Sequence, residues 1–266
     1  MDWDDAYANM AHIPGSESLP EAWAIAAAAY RDGSRRVEQD IPYGAHPRER
    51  FDLIHPDGVP KGLAVFVHGG YWMRLDKSFW THYAEGACAA GWAVAMPSYR
   101  LAPDVRIAQI TAQIGRAIPA MAGHIAGPIR LAGHSAGGHL VARMLCEDSP
   151  LPSDIARRID HTLSISGVHD LRPLIRTQMN QTLHLDLGEC AIESPALRMP
   201  VPDVRLTCWV GGGERPEFVR QSELLANIWT GLGAETSCVV DGDHHHFSVL
   251  DGLLDRNSPL TKAFVG

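Results

Sequence analysis

The stretch that decides the fold is Ile129-Arg130-Leu131-Ala132-Gly133-His134-Ser135-Ala136-Gly137. Its first four residues form a mostly apolar run typical of a buried strand, and residues 136–146 have a helical pattern. The G-x-S-x-G motif between them is typical of a serine held on a sharp turn between a strand and a helix. Flanking side chains would clash in such a turn, and the helix N-terminus favours developing negative charge. We therefore predict that Ser135 is a nucleophile, with an ordinary serine in a glycine-rich turn as the alternative.

Short apolar runs alternate with helical patterns along most of the chain. The predicted strands are Phe51–Ile54, Leu63–Val67, Trp92–Met96, Ile129–Ala132, Thr162–Ser166, Leu206–Val210 and Ser237–Val240. The predicted helices are Glu21–Arg31, Lys77–Ala90, 104–122, Ala136–Cys146 and Glu217–Trp229. Apolar strands without alternation are typical of a parallel sheet covered on both faces. The expected class is α/β, with a mostly parallel central sheet and helices on both faces. The G-x-S-x-G motif between a strand and a helix makes an α/β-hydrolase fold the expected form of this class.

The length of 266 residues favours one domain that spans residues 1–266. Two segments fall outside the alternation of strands and helices: the N-terminal segment 1–20 and an insertion at about 167–202. The insertion carries scattered apolar residues and is long for a bare connection, so we expect it to form short helices beside the sheet. Both segments are candidates to cover the active site.

Composition excludes several classes of protein. Hydrophobic residues make up 45% of the chain and charged residues 20%, which excludes intrinsic disorder. The net charge of −8 argues against a nucleic-acid partner. No apolar run approaches the roughly 18 residues that span a bilayer, and the acidic N-terminus does not resemble a secretory signal. The 5 scattered cysteines suggest reduced thiols in a cytoplasmic protein. The sequence does not determine the oligomeric state, and a homodimer is one possibility that it leaves open.

A second motif, His68-Gly69-Gly70-Tyr71-Trp72, directly follows a predicted strand. In this order relative to the G-x-S-x-G motif, such a turn presents backbone amides to a substrate oxygen. We predict an oxyanion hole formed by the amides of Gly70, Tyr71 and Ala136, with a tight structural turn as the alternative. Tyr71 and Trp72 are also candidates for substrate binding. For Trp72, burial in the core is an equal alternative.

A nucleophilic serine needs a base and an acid that orients it, and in α/β-hydrolases the acid and then the histidine follow the serine. Glu214 follows the predicted strand Leu206–Val210, and three consecutive histidines, His244, His245 and His246, follow the last strand. We predict Glu214 as the acid and His246 as the base, with His245 in reserve. The alternative acids are Asp203, Asp241 and Asp243. Contiguous histidines cannot all ligate one zinc ion, so we expect no metal. Acyl transfer through a serine also needs no organic cofactor, and we expect none.

These motifs resemble the kynurenine formamidase (arylformamidase) group of α/β-hydrolases, which is close to hormone-sensitive-lipase-type esterases. The resemblance rests on HGGYW (68–72) and GHSAGGHL (133–140), with weaker similarity in SYRLAP (98–103), SGVHDLRPLI (166–175), SP (194–195), GGGERPEF (211–218) and HHHF (244–247). It implies the same nucleophile, Ser135, and the same base, His246. The acid maps to Glu214, where the group's usual pattern has Asp. The segment AYANMAHIPGS (6–16) is also similar to bacterial members of this group.

Together, the residues and the resemblance imply a serine hydrolase that cleaves a small aryl formamide, or a related amide or ester, through an acyl-enzyme. One alternative is a carboxylesterase that acts on short-chain or aryl esters. Another, from a different class, is a non-catalytic ligand-binding protein on the same fold. The expected partner is a small-molecule ester or amide substrate.

Overall fold

The computed structural model describes residues 2–266, and its centre is one sheet of eight strands. The strands are β1 Val37–Pro42, β2 Arg50–Ile54, β3 Leu63–Val67, β4 Ala93–Pro97, β5 Ile129–His134, β6 Ile159–Ile165, β7 Arg205–Gly211 and β8 Glu235–Asp241. Their spatial order is β1-β2-β4-β3-β5-β6-β7-β8. Strand β2 pairs antiparallel with both β1 and β4, and the pairs from β4 to β8 are parallel. This arrangement confirms the mostly parallel sheet.

The sequence pattern did not predict strand β1. Its residues, Val-Glu-Gln-Asp-Ile-Pro, are mostly polar, and none of them is fully buried in the structure. The strand lies at the edge of the sheet, where side chains remain partly in water and the apolar signal of a buried strand is missing. The seven predicted strands are all present, with shifted ends in six of them.

Helices cover both faces of this sheet. They are α1 Trp3–Ala6, α2 Leu19–Arg31, α3 Glu85–Ala89, α4 Ile107–Ala122, α5 Ala136–Arg143, α6 Ser153–Ala156, α7 Asn180–Leu183, α8 Leu187–Glu193, α9 Pro216–Gly231 and α10 Pro259–Val265. Short 3-10 turns occur at Met10–His12, Ser16–Ser18, Lys77–Phe79, Thr81–Ala84, Arg172–Arg176, Pro195–Leu197 and Ser248–Leu254. Segment 167–202 therefore consists of short helices and turns.

The predicted helix Lys77–Ala90 is wrong. The stretch instead forms two 3-10 turns followed by the short helix α3. Two local features explain the break. The side chain of Lys77 is buried, and its Nζ lies 2.7 Å from the carboxylate of Asp52 on β2. The rings of Trp80 and Tyr83 are buried in the core as well. Packing of these residues outweighs the helical preference of the local sequence.

The core lies in two main layers, one on each face of the sheet. Alternate residues of β3 enter different layers: Val65 packs in the layer that contains α4 and α5, whereas Phe66 packs in the layer that contains α3 and α10. Every residue of β3 and β4 is buried, which explains their apolar runs. Within residues 2–266, no helix has both the length and the apolar character needed to cross a membrane.

Candidate active site

Ser135 occupies a sharp turn between β5, which ends at His134, and α5, which begins at Ala136. Its backbone has φ 56° and ψ −115°, an unfavourable conformation for a residue with a side chain. The Ser135 amide donates a 2.8 Å hydrogen bond to the carbonyl of Ile165, at the end of β6, which helps to hold the turn. The serine therefore lies where the parallel strands end, at the edge of the sheet that α/β proteins use for ligands.

Glycine is required beside this turn because other backbone segments pass very close to it. A Cβ atom on Gly137 would lie 1.9 Å from the carbonyl oxygen of Val67, and one on Gly133 would lie 2.2 Å from that of Gly137. Both distances are far below any van der Waals contact. The glycines of the motif thus let helix α5 approach both β5 and the end of β3.

The loop after β3 lies directly against the serine turn. A Cβ atom on Gly69 would lie 3.0 Å from the Cβ of Ser135. Among residues 2–266, the amides of Gly70 and Tyr71 donate no hydrogen bond to a protein acceptor. Ala136 is the first residue of α5, where a helix supplies no acceptor for the amide. The three amides predicted for the oxyanion hole therefore belong to two backbone segments that meet at Ser135.

His68 packs inside this loop rather than facing the serine. Its ring stacks on Tyr99 with centroids 4.4 Å apart, and its Nδ1 lies 2.7 Å from the carbonyl oxygen of Gly69. Burial of the ring lowers the pKa of His68 to about 4, because a buried imidazolium loses its hydration. The neutral ring supports the loop.

His246 and Glu214 form a buried hydrogen-bonded pair. The Nδ1 atom of His246 lies 2.6 Å from Oε2 of Glu214, and the His246 side chain is only 2% exposed. The other carboxylate oxygen, Oε1, accepts hydrogen bonds from the Ser166 hydroxyl at 2.5 Å and from the Gly211 amide at 2.8 Å. These three bonds fix the carboxylate and leave Nε2 as the free nitrogen of the His246 ring.

The glycines before Glu214 allow its loop to contact the histidine loop closely. A Cβ atom on Gly211 would lie 2.0 Å from the carbonyl oxygen of His244. In addition, the Gly213 amide donates a 3.1 Å hydrogen bond to the same carbonyl. This approach brings the carboxylate of Glu214 to the ring of His246.

The neighbouring histidines make different contacts. The Nδ1 of His245 accepts hydrogen bonds from the amides of Phe247 and Ser248, at 3.2 and 3.1 Å, within its own turn. His244 is exposed and its Nδ1 lies 3.2 Å from the Ser248 hydroxyl. Of the three histidines, His246 lines the same cavity as Ser135.

The alternative acids lie elsewhere. Asp203 and Asp243 are exposed, and Asp241 accepts a 2.9 Å hydrogen bond from the indole of Trp209. Among residues 2–266, no group of three or more histidine, cysteine, aspartate or glutamate side chains is arranged to hold a metal ion. The carboxylate that contacts a histidine in the cavity is that of Glu214.

His134, the residue before the serine, also helps to place His246. Its Nε2 lies 2.8 Å from the carbonyl oxygen of His246, and the two rings are 4.6 Å apart. Burial holds the pKa of His134 well below its usual range, so the ring is neutral and Nε2–H is the donor. His134, at the first variable position of the G-x-S-x-G motif, thus helps to hold the backbone of His246, the proposed base.

A cavity of about 370 Å³ opens at Ser135 and His246. Gly70 and Tyr71 line it from the loop after β3, and residues 7–11 line it from the N-terminal segment. Its remaining lining includes three aromatic side chains, those of Trp23, Trp80 and Phe247, as well as Asp4, Pro20, Arg74, Leu75, His134 and Met179. The cavity is therefore mostly apolar and aromatic, and Ser135 forms part of its lining.

Trp72 does not line this cavity. Its side chain is fully buried, and its ring packs edge-on against His139 with centroids 5.1 Å apart. Tyr71 lines the cavity, whereas the next residue, Trp72, is buried in the core. Of the two roles predicted for Trp72, substrate binding and burial in the core, these contacts favour the second.

The sequence patterns missed three residues of the site. Ser166, which binds the carboxylate of Glu214, ends a predicted strand, and its position at the same sheet edge was an available signal. Tyr7 and Asn9 line the cavity from a segment without strong periodicity. The sequence indicated that the N-terminal segment 1–20 could cover the site, but no pattern in it singled out these two residues.

Known proteins match both the sequence and the fold. The family model described as alpha/beta hydrolase fold matches residues 64–247. A kynurenine formamidase from Danio rerio is 29% identical over 252 residues, covering 88% of this chain and 85% of that protein. This match confirms the resemblance stated from the motifs.

Solved structures agree with this result. A crystal structure from Silicibacter sp. TM1040, of a protein with a provisional thioesterase description, is 47% identical, has a TM-score of 0.95, and covers 100% of both chains. A hyperthermophilic esterase from Pyrobaculum calidifontis has a TM-score of 0.71 at 18% identity, covering 93% of this chain and 87% of that one, and shows the fold. This chain therefore belongs to the alpha/beta hydrolase fold family, and it is a hydrolase.

Proposed function

We propose that this chain is a serine hydrolase that cleaves a small aryl formamide, or a related amide or ester, through an acyl-enzyme. The observation that carries the proposal is the buried pair of His246 and Glu214 at 2.6 Å, in which His246 lines the same cavity as Ser135. A serine on a strained turn, an oriented imidazole and unpaired amides are the parts that acyl transfer requires. A binding protein would not need this combination.

In the first half of the reaction, Oγ of Ser135 forms a bond to the substrate's carbonyl carbon, and Nε2 of His246 takes the hydroxyl proton. Glu214 holds the ring in the tautomer with hydrogen on Nδ1 and stabilises the imidazolium. The carbonyl oxygen gains negative charge and accepts hydrogen bonds from the amides of Gly70, Tyr71 and Ala136. Nε2–H then protonates the leaving amine or alkoxide, and the bond between that group and the acyl carbon breaks.

In the second half, water attacks the acyl-enzyme and the same groups act again. Nε2 of His246 accepts a proton from the water while its oxygen forms a bond to the acyl carbon. The tetrahedral intermediate then collapses, and the bond from the acyl carbon to Oγ breaks. The imidazolium returns its proton to Ser135, and the carboxylic acid product leaves. For a formamide substrate this product is formate.

The lining of the cavity supports an aromatic substrate. Tyr71, Trp23, Trp80 and Phe247 supply flat apolar surfaces near the serine, which suit an aryl leaving group. The kynurenine formamidase from Danio rerio, similar over most of both chains, supports an aryl formamide in particular.

The second candidate is an esterase activity on short-chain or aryl esters, including thioesters. The observation that favours it is the 47% identity to the Silicibacter protein with the thioesterase description. The same serine, base and oxyanion hole serve either leaving group. The nature of the leaving group therefore separates the two candidates.

Two measurements test the proposal. Hydrolysis of p-nitrophenyl acetate by wild type and by Ser135→Ala tests the enzyme: we expect loss of turnover in the variant, and equal background rates in both would refute it. Values of kcat/KM for N-formylkynurenine, phenyl acetate and a short-chain acyl thioester then test the substrate. A large preference for the formamide supports the formamidase, whereas a large preference for either ester supports the second candidate.

We also propose that the protein acts in the cytoplasm. All 5 cysteines are free thiols, and Cys88, Cys146, Cys190 and Cys208 are buried. Unpaired buried thiols are typical of a reducing compartment. Fractionation of the native cells, followed by detection of the protein, tests this location.

A further inference from the structure

The loop that carries the proposed oxyanion donors has an unusual backbone. Gly70, Tyr71 and Trp72 have φ values of 117°, 53° and 58° in succession. Positive φ is strained for residues with side chains and persists only where surrounding contacts hold it. The amide of Tyr71 owes its direction to this conformation, so the contacts that hold Tyr71 also orient a proposed catalytic donor.

Trp72 and Tyr71 are held in different ways. The Trp72 ring is buried in the core, and its carbonyl accepts a 2.8 Å hydrogen bond from the amide of Ala102. Tyr71, by contrast, has its ring beside the cavity and its hydroxyl against the N-terminal segment. That hydroxyl donates to the carbonyl of Tyr7 and accepts a 3.2 Å hydrogen bond from Nδ2 of Asn9. The hydroxyl is thus fixed from both sides.

The N-terminal segment is itself fixed to helix α9. The hydroxyl of Tyr7, which is 1% exposed, donates a 2.8 Å hydrogen bond to Oε1 of Glu217 and accepts one of 3.1 Å from Gln221. Glu217 lies in the first turn of α9, three residues after Glu214. Arg215, between them, pairs with the carboxylate of Asp5. A continuous chain of contacts therefore joins the loop of the proposed acid to the loop of the oxyanion donors.

We propose that the hydroxyl of Tyr71, held by residues 7–9, is a positioning group for the oxyanion hole. The inference rests on the proposed function and deepens it. Tyr71 contributes its amide to catalysis, and its hydroxyl keeps that amide aimed at the developing oxyanion. Because oxyanion donors act mainly in the transition state, their displacement lowers kcat more than it changes KM. A residue that only lined the cavity would change KM instead.

The variant Tyr71→Phe tests this role because it keeps the ring and removes only the hydroxyl. We expect kcat for p-nitrophenyl acetate to fall between about 5- and 50-fold, less than the roughly 10²–10³-fold typical of complete loss of a donor. KM should stay within about twofold. Binding of phenylboronic acid, which forms a tetrahedral adduct with a serine, should weaken in proportion to kcat. Binding of aniline, a planar ligand with no oxyanion, should not change.

Tyr43→Phe is the matched control. The Tyr43 hydroxyl also donates to a backbone carbonyl, that of Ser98 at 2.6 Å, but Tyr43 does not line the cavity. We expect this control to keep wild-type kcat, KM and boronic-acid binding. Melting temperatures of both variants show how much of any change is due to stability alone.

Asn9→Ala gives a second, independent variant that tests the same contact if Tyr71→Phe does not fold. We expect a smaller fall in kcat, and the double variant should lose little beyond Tyr71→Phe because both act through one hydroxyl. Unchanged kcat in both single variants, or a higher KM at constant kcat, would overturn the inference. The wild-type protein distinguishes failure of this inference from failure of the proposed function. If wild type is inactive toward every substrate, the proposed function fails. If it is active, the variants test only the positioning role.

Discussion

Glu214 contacts the ring of His246 through one carboxylate oxygen only: Oε2 lies 2.6 Å from Nδ1, while Oε1 is held by Ser166 and Gly211. The two oxygens therefore have separate tasks. One fixes the carboxylate to the protein and the other orients the base. Because of this division, the contribution of the Glu214 carboxylate to kcat can be measured separately from that of Ser166, which only holds the carboxylate in place.

Glu214→Gln should lower kcat by about 10³- to 10⁴-fold, because the amide cannot stabilise the imidazolium and can favour the wrong tautomer. Ser166→Ala removes one of the two hydrogen bonds to Oε1 and leaves the carboxylate charged, so its effect should be about 10-fold or less. Steady-state kinetics on p-nitrophenyl acetate measure both. A loss below about 10-fold in Glu214→Gln would show that another carboxylate orients His246.

His246→Gln should abolish turnover to the level of Ser135→Ala, since no proton acceptor would remain beside the serine. His245→Gln is the matched control in the adjacent position. Its ring accepts hydrogen bonds within its own turn, so the variant should keep at least about a third of wild-type kcat and lose some stability. Full activity in His246→Gln, with loss in His245→Gln, would reverse the assignment of the base.

Gly137→Ala should lower the free energy of unfolding by more than about 3 kcal/mol, or prevent folding, because its Cβ would lie 1.9 Å from the carbonyl oxygen of Val67. Gly231→Ala, at the end of α9, is the control, since a Cβ there meets nothing within 4 Å. That variant should be neutral or slightly stabilising. Urea unfolding compares the two, and a stable, active Gly137→Ala protein would contradict the close approach of α5 to β3.

Acid should destabilise the fold before the carboxylates titrate. Burial lowers the pKa of His68 to about 4 and that of His139 and His169 to about 3, and it holds the pKa of His134 well below its usual range. In the unfolded chain these rings titrate near 6.5. Between pH 6.5 and 5 the unfolded state therefore binds more protons, and the free energy of unfolding falls as the pH is lowered.

Each of these rings contributes a slope of up to about 1.4 kcal/mol per pH unit well below pH 6.5. Urea unfolding at pH 7, 6 and 5 measures the total slope. His139→Gln should reduce it, because glutamine can still donate toward the Glu193 carbonyl that Nε2 of His139 contacts at 2.6 Å but does not titrate. Equal stability at pH 7 and pH 5 would contradict buried neutral rings.

The elements that sequence could predict are those governed by local rules. The turn at Ser135 was predictable because only glycine fits two residues before it and two residues after it, at Gly133 and Gly137. Strand β3 was predictable because a fully buried parallel strand is apolar throughout. The mostly polar edge strand β1 lacks that signal. The break in Lys77–Ala90 depends on a partner in β2, which no local pattern reveals.

The missing parts of the site are contacts between distant segments. Tyr7 meets Glu217 across 210 positions of the chain, so no spacing could indicate the pair. Which of Tyr71 and Trp72 lines the cavity depends on the backbone conformation of one loop, which no sequence pattern reveals. The pair of His246 and Glu214, by contrast, was accessible because both residues follow strands that end at the same edge of the sheet.

The placement of residues 7–11 along the cavity makes the two chain ends unequal as attachment points. Gly266 lies beside Arg130, which donates a 3.2 Å hydrogen bond to its carbonyl, near the start of β5. Ser135 follows the end of that strand, roughly 17 Å away at about 3.3 Å per residue. A dye or solid support coupled at Gly266 should leave turnover intact, whereas one coupled ahead of Trp3 would lie close to Asp4, which lines the cavity, and should lower turnover.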